Sequence, residues 1–319
     1  MKQPELILGD CMSALADMED ASIHGVCTDP PYGLVEFSPA EVAKLRAGKG
    51  GVWRLPPKWD GCERRPLPRF TVLTPEQKKE IENYFTRWAL ALFPKLRPGA
   101  HVLIAGNSVL QMYVQSAMVA GGFENRGTIL RLYHGFRGGD RPKNAEREFP
   151  AVCVTPRGNY EPWMLFRRPI SERTVAENLR KWGTGGLRML AGGKPLPDVI
   201  PSFKTPTRER DIADHPSLKP QHFLRIVVRS LLPMGDGVIL DPFMGSGSTV
   251  AAAIAVGYEG IGIEMDDEFH SLAVKSVLRL AALYPRMTGD ALDYAEANGA
   301  TEEFHEQLML MESSGKYSV

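Results

Sequence analysis

Short apolar runs alternate with longer stretches of helical spacing along most of this chain. Leu6-Ile7-Leu8 reads as a strand ending at Gly9-Asp10, Cys11 to Met18 has helical spacing, and Ile23 to Thr28 is a second strand that delivers Asp29 to its end. Thr74-Pro75-Glu76 is a helix start, with Thr74 as cap and Pro75 in the first turn. That helix runs to about Leu96, where Pro98-Gly99 breaks the pattern. The spacing then predicts a strand over His101 to Ala105, a helix over Val109 to Ala120, and strands over Thr128 to Tyr133, Ala151 to Thr155 and Pro162 to Phe166. After Pro220 come a helix over Gln221 to Leu232, a strand over Val238 to Leu240, a helix over Ser246 to Val256, a strand over Gly260 to Ile263 and a helix over Glu268 to Leu283. This alternation implies an α/β protein built on a doubly wound sheet.

Two stretches interrupt the rhythm. Residues 35–74 hold much Pro, Gly and Arg without a sustained period, which is long for a plain connection and points to a functional loop. Residues 171–213 are rich in Arg, Pro and Gly, with Trp182 and Phe203 interspersed. No internal repeat or low-complexity tract is evident.

Composition changes this picture little: 43% of residues are apolar and 24% charged, as in an ordinary globular protein. No stretch approaches a membrane span, and Met1-Lys2-Gln3-Pro4-Glu5 lacks a signal-peptide core, so a cytoplasmic protein is expected. Cys11, Cys27, Cys62 and Cys153 are widely spaced with no metal-ligand pairing, so reduced thiols and no metal are expected.

The net charge of zero hides a gradient. Residues 167–210 sum to +6, residues 36–70 to +4, and residues 284–319 to −5. A duplex responds to local basic surface more than to total charge, so a DNA role and plain solvated loops both remain open on charge alone.

The chemistry lies in two strings far apart: Asp29-Pro30-Pro31-Tyr32, and Asp241-Pro242-Phe243-Met244-Gly245-Ser246-Gly247-Ser248-Thr249. Each follows an apolar run. In the second, Gly245 and Gly247 let the backbone approach a ligand before a helix start, whose free N–H groups suit a carboxylate or phosphate. No Lys follows the glycines, so this is not a P-loop, and the third glycine of a dinucleotide fingerprint is missing. Glu264 closes the next strand, and an ionised carboxylate there suits two ribose hydroxyls.

Together, and in this order, the strings resemble the amino-methyltransferases of the beta class. These use S-adenosylmethionine to methylate an exocyclic amine of a DNA base. The resemblance covers most of residues 5–34, 75–168 and 215–283. It implies a Rossmann-like methyltransferase sheet that is circularly permuted. A catalytic half (1–168) precedes a cofactor half (214–283), with a target-recognition region (169–213) inserted between them and an acidic tail (284–319) after them. It also implies that His215-Pro216-Ser217-Leu218-Lys219-Pro220 helps bind the methionine end of the cofactor through His215, Ser217 and Lys219. By the same resemblance Gly9-Asp10 and Cys11 form the turn at the cofactor adenine, with Asp10 accepting from the adenine amino group.

The catalytic string fits the chemistry. An exocyclic amine is a poor nucleophile because its lone pair is delocalised into the ring. Asp29 and the Pro30 carbonyl can each accept one N–H, which favours the more tetrahedral nitrogen of the transition state. Pro30 and Pro31 stiffen the backbone, and Tyr32 offers a face for a base that has rotated out of the duplex.

Family resemblance ties Asp in the first position to adenine N6, whereas cytosine N4 enzymes more often carry Ser. The recognition region offers Arg173, Arg180, Lys181, Arg188, Lys194, Lys204, Arg208 and Arg210 to phosphates or guanine edges. A second basic stretch, Lys44 to Arg69 with Trp53 and Trp59, can close over DNA. The expected partner is double-stranded DNA, with a homodimer possible by resemblance and a restriction partner unknown. Cytosine-N4 transfer, a nicotinamide-dependent oxidoreductase and a non-catalytic DNA-binding protein are the competing readings. The oxidoreductase gives Asp-Pro-Pro-Tyr no role.

Overall fold

The structure is a computed structural model and describes residues 2–31, 74–133, 142, 144–156, 158–215 and 217–285. Tyr32, the 35–73 stretch with Lys44 to Arg69, Pro216 and residues 286–319 lie outside the described residues. In chain order the elements are β1 (Glu5–Leu8), α1 (Cys11–Asp17), β2 (Ile23–Thr28), α2 (Pro75–Leu92), β3 (Leu96–Ala105), α3 (Gln111–Ala120), β4 (Glu124–Leu132) and β5 (Tyr160–Arg167). They continue with α4 (Val175–Trp182), β6 (Val199–Pro201), α5 (Thr207–Arg210), α6 (Gln221–Leu231), β7 (Val238–Asp241), α7 (Ser248–Ala255), β8 (Glu259–Glu264) and α8 (Asp267–Ala282).

The strands form one eight-stranded sheet in the order β1-β8-β7-β2-β3-β5-β4-β6. Strands β1, β8, β7, β2 and β3 are mutually parallel, β5 runs antiparallel to both β3 and β4, and β6 adds parallel to β4. Adjacent residues of the central strands point to opposite faces, as a pleat requires. Val26, Val102, Ile104, Met164, Phe166 and Leu240 enter a core with α1, α2 and α3. Their neighbours Cys27, Leu103, Ala105, Trp163, Leu165 and Ile239 enter a second core with α6 and α7. Helices α7 and α8 close a third cluster near β1. The result is a three-layer, doubly wound, Rossmann-like sheet.

The chain enters this sheet out of register with its chemistry. The glycine-loop strand β7 comes late in sequence but sits at the centre, between β8 and β2. The connection after β7 leads to β8 on one side, and the one after β2 leads to β3 on the other. The crevice at the carboxyl ends of β7 and β2 is therefore the topological switch point, where open α/β sheets bind ligands.

Local signals account for several boundaries. Thr74 Oγ1 accepts from Gln77 N at 3.3 Å while Gln77 Oε1 accepts from Thr74 N at 2.9 Å, a reciprocal cap on α2.

Other expectations need correction. Pro98-Gly99 does not precede β3 but lies within it, and Gly99 (φ +84°) turns its N–H to the carbonyls of Arg168 and Pro169. Residues 151–155 are irregular with Val152 and Val154 exposed, not a strand, because no strand among the described residues pairs with them. The 171–213 stretch is more regular than its composition suggests. It holds α4, closed by a Thr174–Glu177 capping box and by Gly183 in the left-handed region, and β6, which joins the sheet. Strand β1 pairs with β8 and so stands beside the cofactor strands, although it opens the chain.

Candidate active site

Four strands deliver acidic residues to one edge of the sheet. Asp10 follows β1, Glu264 ends β8, Asp241 ends β7 and Asp29 follows β2. Each reaches the edge because parallel strands align their carboxyl ends.

Asp241 links β7 to β2. It is 2% exposed, accepts from Thr28 Oγ1 at 2.6 Å and from Phe243 N at 3.2 Å, and also pairs with the Thr249 side chain. Burial pushes its carboxyl up to about 6 against these hydrogen bonds. Its bonds tie β7 to β2, so its role here is to join the two strands that flank the crevice.

Glu264 clamps the glycine loop. One carboxylate oxygen accepts from Gly245 N at 2.9 Å and the other from Asp266 N at 2.8 Å. A carboxylate has about four lone-pair sites, so ribose contacts remain chemically open. Gly245 has φ +52°, and a Cβ there would stand 3.0 Å from the His215 ring. His215 thus lies over the glycine loop. The His215 ring also packs edge-on to Phe269 at 4.5 Å, and its Nδ1 accepts from Ser217 N at 3.2 Å.

Gly247 is constrained by the fold as well as by its motif. Its φ is +81°, and a Cβ would come 2.3 Å from Val277 on α8. Its glycine is required by the left-handed backbone and by the close packing of α8, not by ligand approach alone. Ser246 and Pro242 are buried, and the Ser246 carbonyl accepts from Ser276 Oγ on α8 at 2.9 Å. Phe243 packs against Trp88 of α2, with centroids 5.8 Å apart.

Asp10 caps α1, accepting from Met12 N and Ser13 N at 3.1 Å each. Cys11 is buried, with its thiol 3.7 Å from Tyr84 Oη, and burial pushes that thiol up.

Lys219 reaches the first motif. It makes a short ion-paired hydrogen bond to Asp29 Oδ2 and lies 3.4 Å from Glu161 Oε1. Burial opposes its charge, but Asp29 and Glu161 outweigh burial and raise its pKa. Glu161, at the start of β5, also accepts from Arg131 at 3.0 Å and from Trp163 Nε1 at 3.0 Å. Burial raises the Glu161 carboxyl, but Lys219, Arg131 and the Trp163 N–H overcome it and hold the group below the ordinary range. Arg131 in turn donates to Ser202 Oγ at 2.9 Å and to the Phe203 carbonyl at 3.0 Å. Sequence reasoning passed over Arg131 and Thr28, and it read Glu161, in Glu161-Pro162-Trp163 ahead of a strand, as structural. The signal for Glu161 and Arg131 was a charged residue inside, or at the mouth of, an otherwise apolar strand, whereas Thr28 gave none.

The basic residues of 169–213 divide between two edges. Helix α4 sits at the amino-terminal edge of the sheet. Asn178 donates to the Pro98 carbonyl, and Arg97 to the Trp182 carbonyl. This places Arg173, Arg180 and Lys181 far from Asp29, with Lys181 paired to Glu172 at 2.6 Å. Arg188 lies on the same edge, donating to Tyr258 Oη at 3.1 Å beside Gly235. The structure does not bring these four residues to the catalytic crevice. The chain then climbs to β6, and Lys204, Arg208 and Arg210 follow at the carboxyl edge, with Lys204 and Arg208 exposed. Arg208 stacks over the Tyr284 ring at 5.5 Å.

No group of acidic, His or Cys residues among the described ones has the arrangement of a metal site. Nor is any described helix long and apolar enough to cross a membrane.

A permuted Rossmann-like sheet with a glycine loop and Asp-Pro-Pro at neighbouring strand ends defines an S-adenosylmethionine-dependent amino-methyltransferase. The N6/N4 DNA methylase family model matches residues 23–275, and the chain belongs to that family. The type II methyltransferase M2.DpnII of Streptococcus pneumoniae is 35% identical over 274 residues, covering 85% of this chain and 88% of that protein. M.HindIII of Haemophilus influenzae is 22% identical over 297 residues, covering 83% and 92%. Among solved structures, the cytosine-N4-specific PvuII DNA methyltransferase aligns with a TM-score of 0.56 at 14% identity, covering 92% of this chain and 96% of that one. The M1.HpyAVI–SAM complex aligns at 0.52 with 15% identity, covering 86% and 99%. At such identities these two speak to the fold alone. The chain is a DNA methyltransferase, and its cofactor is S-adenosylmethionine.

Proposed function

We propose that the enzyme methylates the N6 amine of an adenine rotated out of the duplex into the crevice beside Asp29. The observation that carries this reading is Asp29 at the end of β2, one strand from the glycine loop and held there by Lys219. An aspartate in this position, followed by Pro30 and Pro31, supplies a carboxylate and a backbone carbonyl as neighbouring acceptors for an exocyclic amine.

The residues fit the cofactor. The glycine loop has a left-handed Gly245 under His215, and Glu264 is fixed by two backbone N–H groups. His215, Ser217, Ser246 and the start of α7 are proposed to hold the methionine end, Glu264 the ribose, and Asp10 the adenine. When bound, S-adenosylmethionine supplies a methyl group already activated by positive sulfur. The protein's own contribution is orientation and charge. Asp29 and the Pro30 carbonyl turn the amine lone pair away from the base plane, and the carboxylate offsets the positive charge that grows on nitrogen. Tyr32, next in sequence, is proposed to stack on the extruded base.

Mass spectrometry of nucleosides from DNA treated with the protein tests this directly. N6-methyladenine is the expected product. N4-methylcytosine would assign the same site to the other base, and no methylated base would reject the reading.

A further inference from the structure

Lys219 and the groups behind it form a buried chain of alternating charge: Asp29, Lys219, Glu161, Arg131. The side chains of Lys219, Glu161 and Arg131 are 9%, 7% and 6% exposed, so none sits where a solvated ion pair would. Two anions and two cations make the chain neutral as a whole. Buried ions are tolerated only when paired and hydrogen-bonded, and removing one leaves its neighbours uncompensated. The remaining valences are met: Glu161 takes the Trp163 N–H, and Arg131 takes Ser202 Oγ and the Phe203 carbonyl. Ser202 Oγ lies 3.3 Å from His222 Nε2, and His222 stays neutral because burial, aided by Arg131, lowers it to about 3.

We propose that Lys219, Glu161 and Arg131 are positioning residues for methyl transfer, which fix the orientation and net charge of the Asp29 carboxylate. The proposal rests on Asp29 being the acceptor of the target amine. Its logic is electrostatic. A lone Lys219 ammonium against Asp29 would hold the carboxylate still but would oppose positive charge growing on the amine nitrogen. Glu161, on the far side of that ammonium, offsets this repulsion without touching the substrate. Arg131 keeps Glu161 ionised and pins it to β4 and to the segment after β6. The geometry thus assigns Lys219 to the catalytic carboxylate, whereas the resemblance assigned it to the methionine end of the cofactor.

The two assignments separate in one experiment on the full chain. Single-turnover methylation of duplex DNA at saturating S-adenosylmethionine is measured for Asp29→Asn, Lys219→Met, Lys219→Arg and Glu161→Gln. Rates are taken per cofactor-binding molecule, and cofactor affinity is measured by calorimetry. Misplacing a reacting group by about 1 Å costs on the order of 100-fold, so a positioning role predicts rate losses of roughly 10- to 100-fold in Glu161→Gln and Lys219→Met. Cofactor affinity should change by a smaller factor than the rate, and Lys219→Arg should recover part of the rate. If Lys219→Met does not fold, Glu161→Gln and Lys219→Arg decide the matter. An effect on affinity larger than that on rate, or an unchanged rate in Glu161→Gln, overturns the proposal. Undiminished turnover in Asp29→Asn would instead overturn the reading of Asp29 itself, so the two failures are distinguishable.

Discussion

At the scale of single residues, the site depends on carboxylates with different environments and so different tasks. Asp29 is expected to be indispensable to the reaction but not to cofactor binding. Asp29→Ala should lower turnover by about 100-fold or more, as for loss of a preorganised transition-state partner, with S-adenosylmethionine affinity largely kept. Rate and calorimetric measurements on one preparation check both halves of that statement. Asp241 has a structural task and a distinct pH signature. Its folded-state carboxyl is raised to about 6, above the ordinary aspartate value. For an acid raised on folding, the stabilising contribution is complete at low pH and is lost as pH rises through the folded value. Asp241→Asn keeps an oxygen to accept from Thr28 and Phe243 but removes the titration. The gap in melting temperature between Asp241→Asn and the wild type should therefore move in favour of the variant as pH rises from about 4 to about 6. A constant gap across that window would show that Asp241 does not titrate there.

At the scale of elements, the glycine loop is held by its neighbours on three sides. Glu264 takes the Gly245 N–H, the His215 ring covers Gly245, and Val277 of α8 leaves no room for a side chain at Gly247. Gly247→Val should cost about 1–2 kcal/mol for the left-handed backbone and roughly 1–3 kcal/mol more for overpacking. Thermal unfolding would report this, and an unchanged melting temperature would mean that α8 yields freely. Most of these elements were legible in the sequence, because β1, β2, β3, β7 and β8 are apolar runs that end at, or just before, an acidic residue or a glycine. The bounds of β2 and the capped start of α2 coincide with those signals. What escaped was set by tertiary partners. Residues 151–155 have a strand-like composition but no strand to pair with, whereas Val199–Pro201 is too short to stand out and exists because β4 offers an edge. The site was legible as two motifs and a glutamate. The Asp29–Lys219–Glu161–Arg131 chain was not, since it joins residues up to 190 positions apart that only the sheet order brings together.

At the scale of the whole molecule, the sheet has a catalytic edge and an opposite edge, and the basic residues are split between them. If the target base is extruded as proposed, it enters at the carboxyl ends, and the duplex lies over that edge. Lys204 and Arg208 are exposed there, after β6 and beside the segment that Arg131 anchors. Arg180 and Lys181 are also exposed, but α4 sets them on the amino-terminal edge. Charge along the sequence made these residues one patch, and the fold separates them. Each phosphate that the protein ceases to neutralise should reduce the dependence of log affinity on log salt by about 0.9. Replacing Lys204 or Arg208 by Ala should therefore weaken DNA binding and shallow the salt slope by nearly one unit each. The same change at Arg180 or Lys181 should leave both unchanged. If Lys204 or Arg208 instead reads a guanine edge, its replacement will relax choice at one base pair, worth roughly 1–3 kcal/mol of discrimination. Titrations at several salt concentrations against specific and scrambled duplexes distinguish the two roles. Equal salt-slope changes from the two pairs would mean that DNA also reaches the amino-terminal edge, and a duplex confined to the crevice side would then be ruled out.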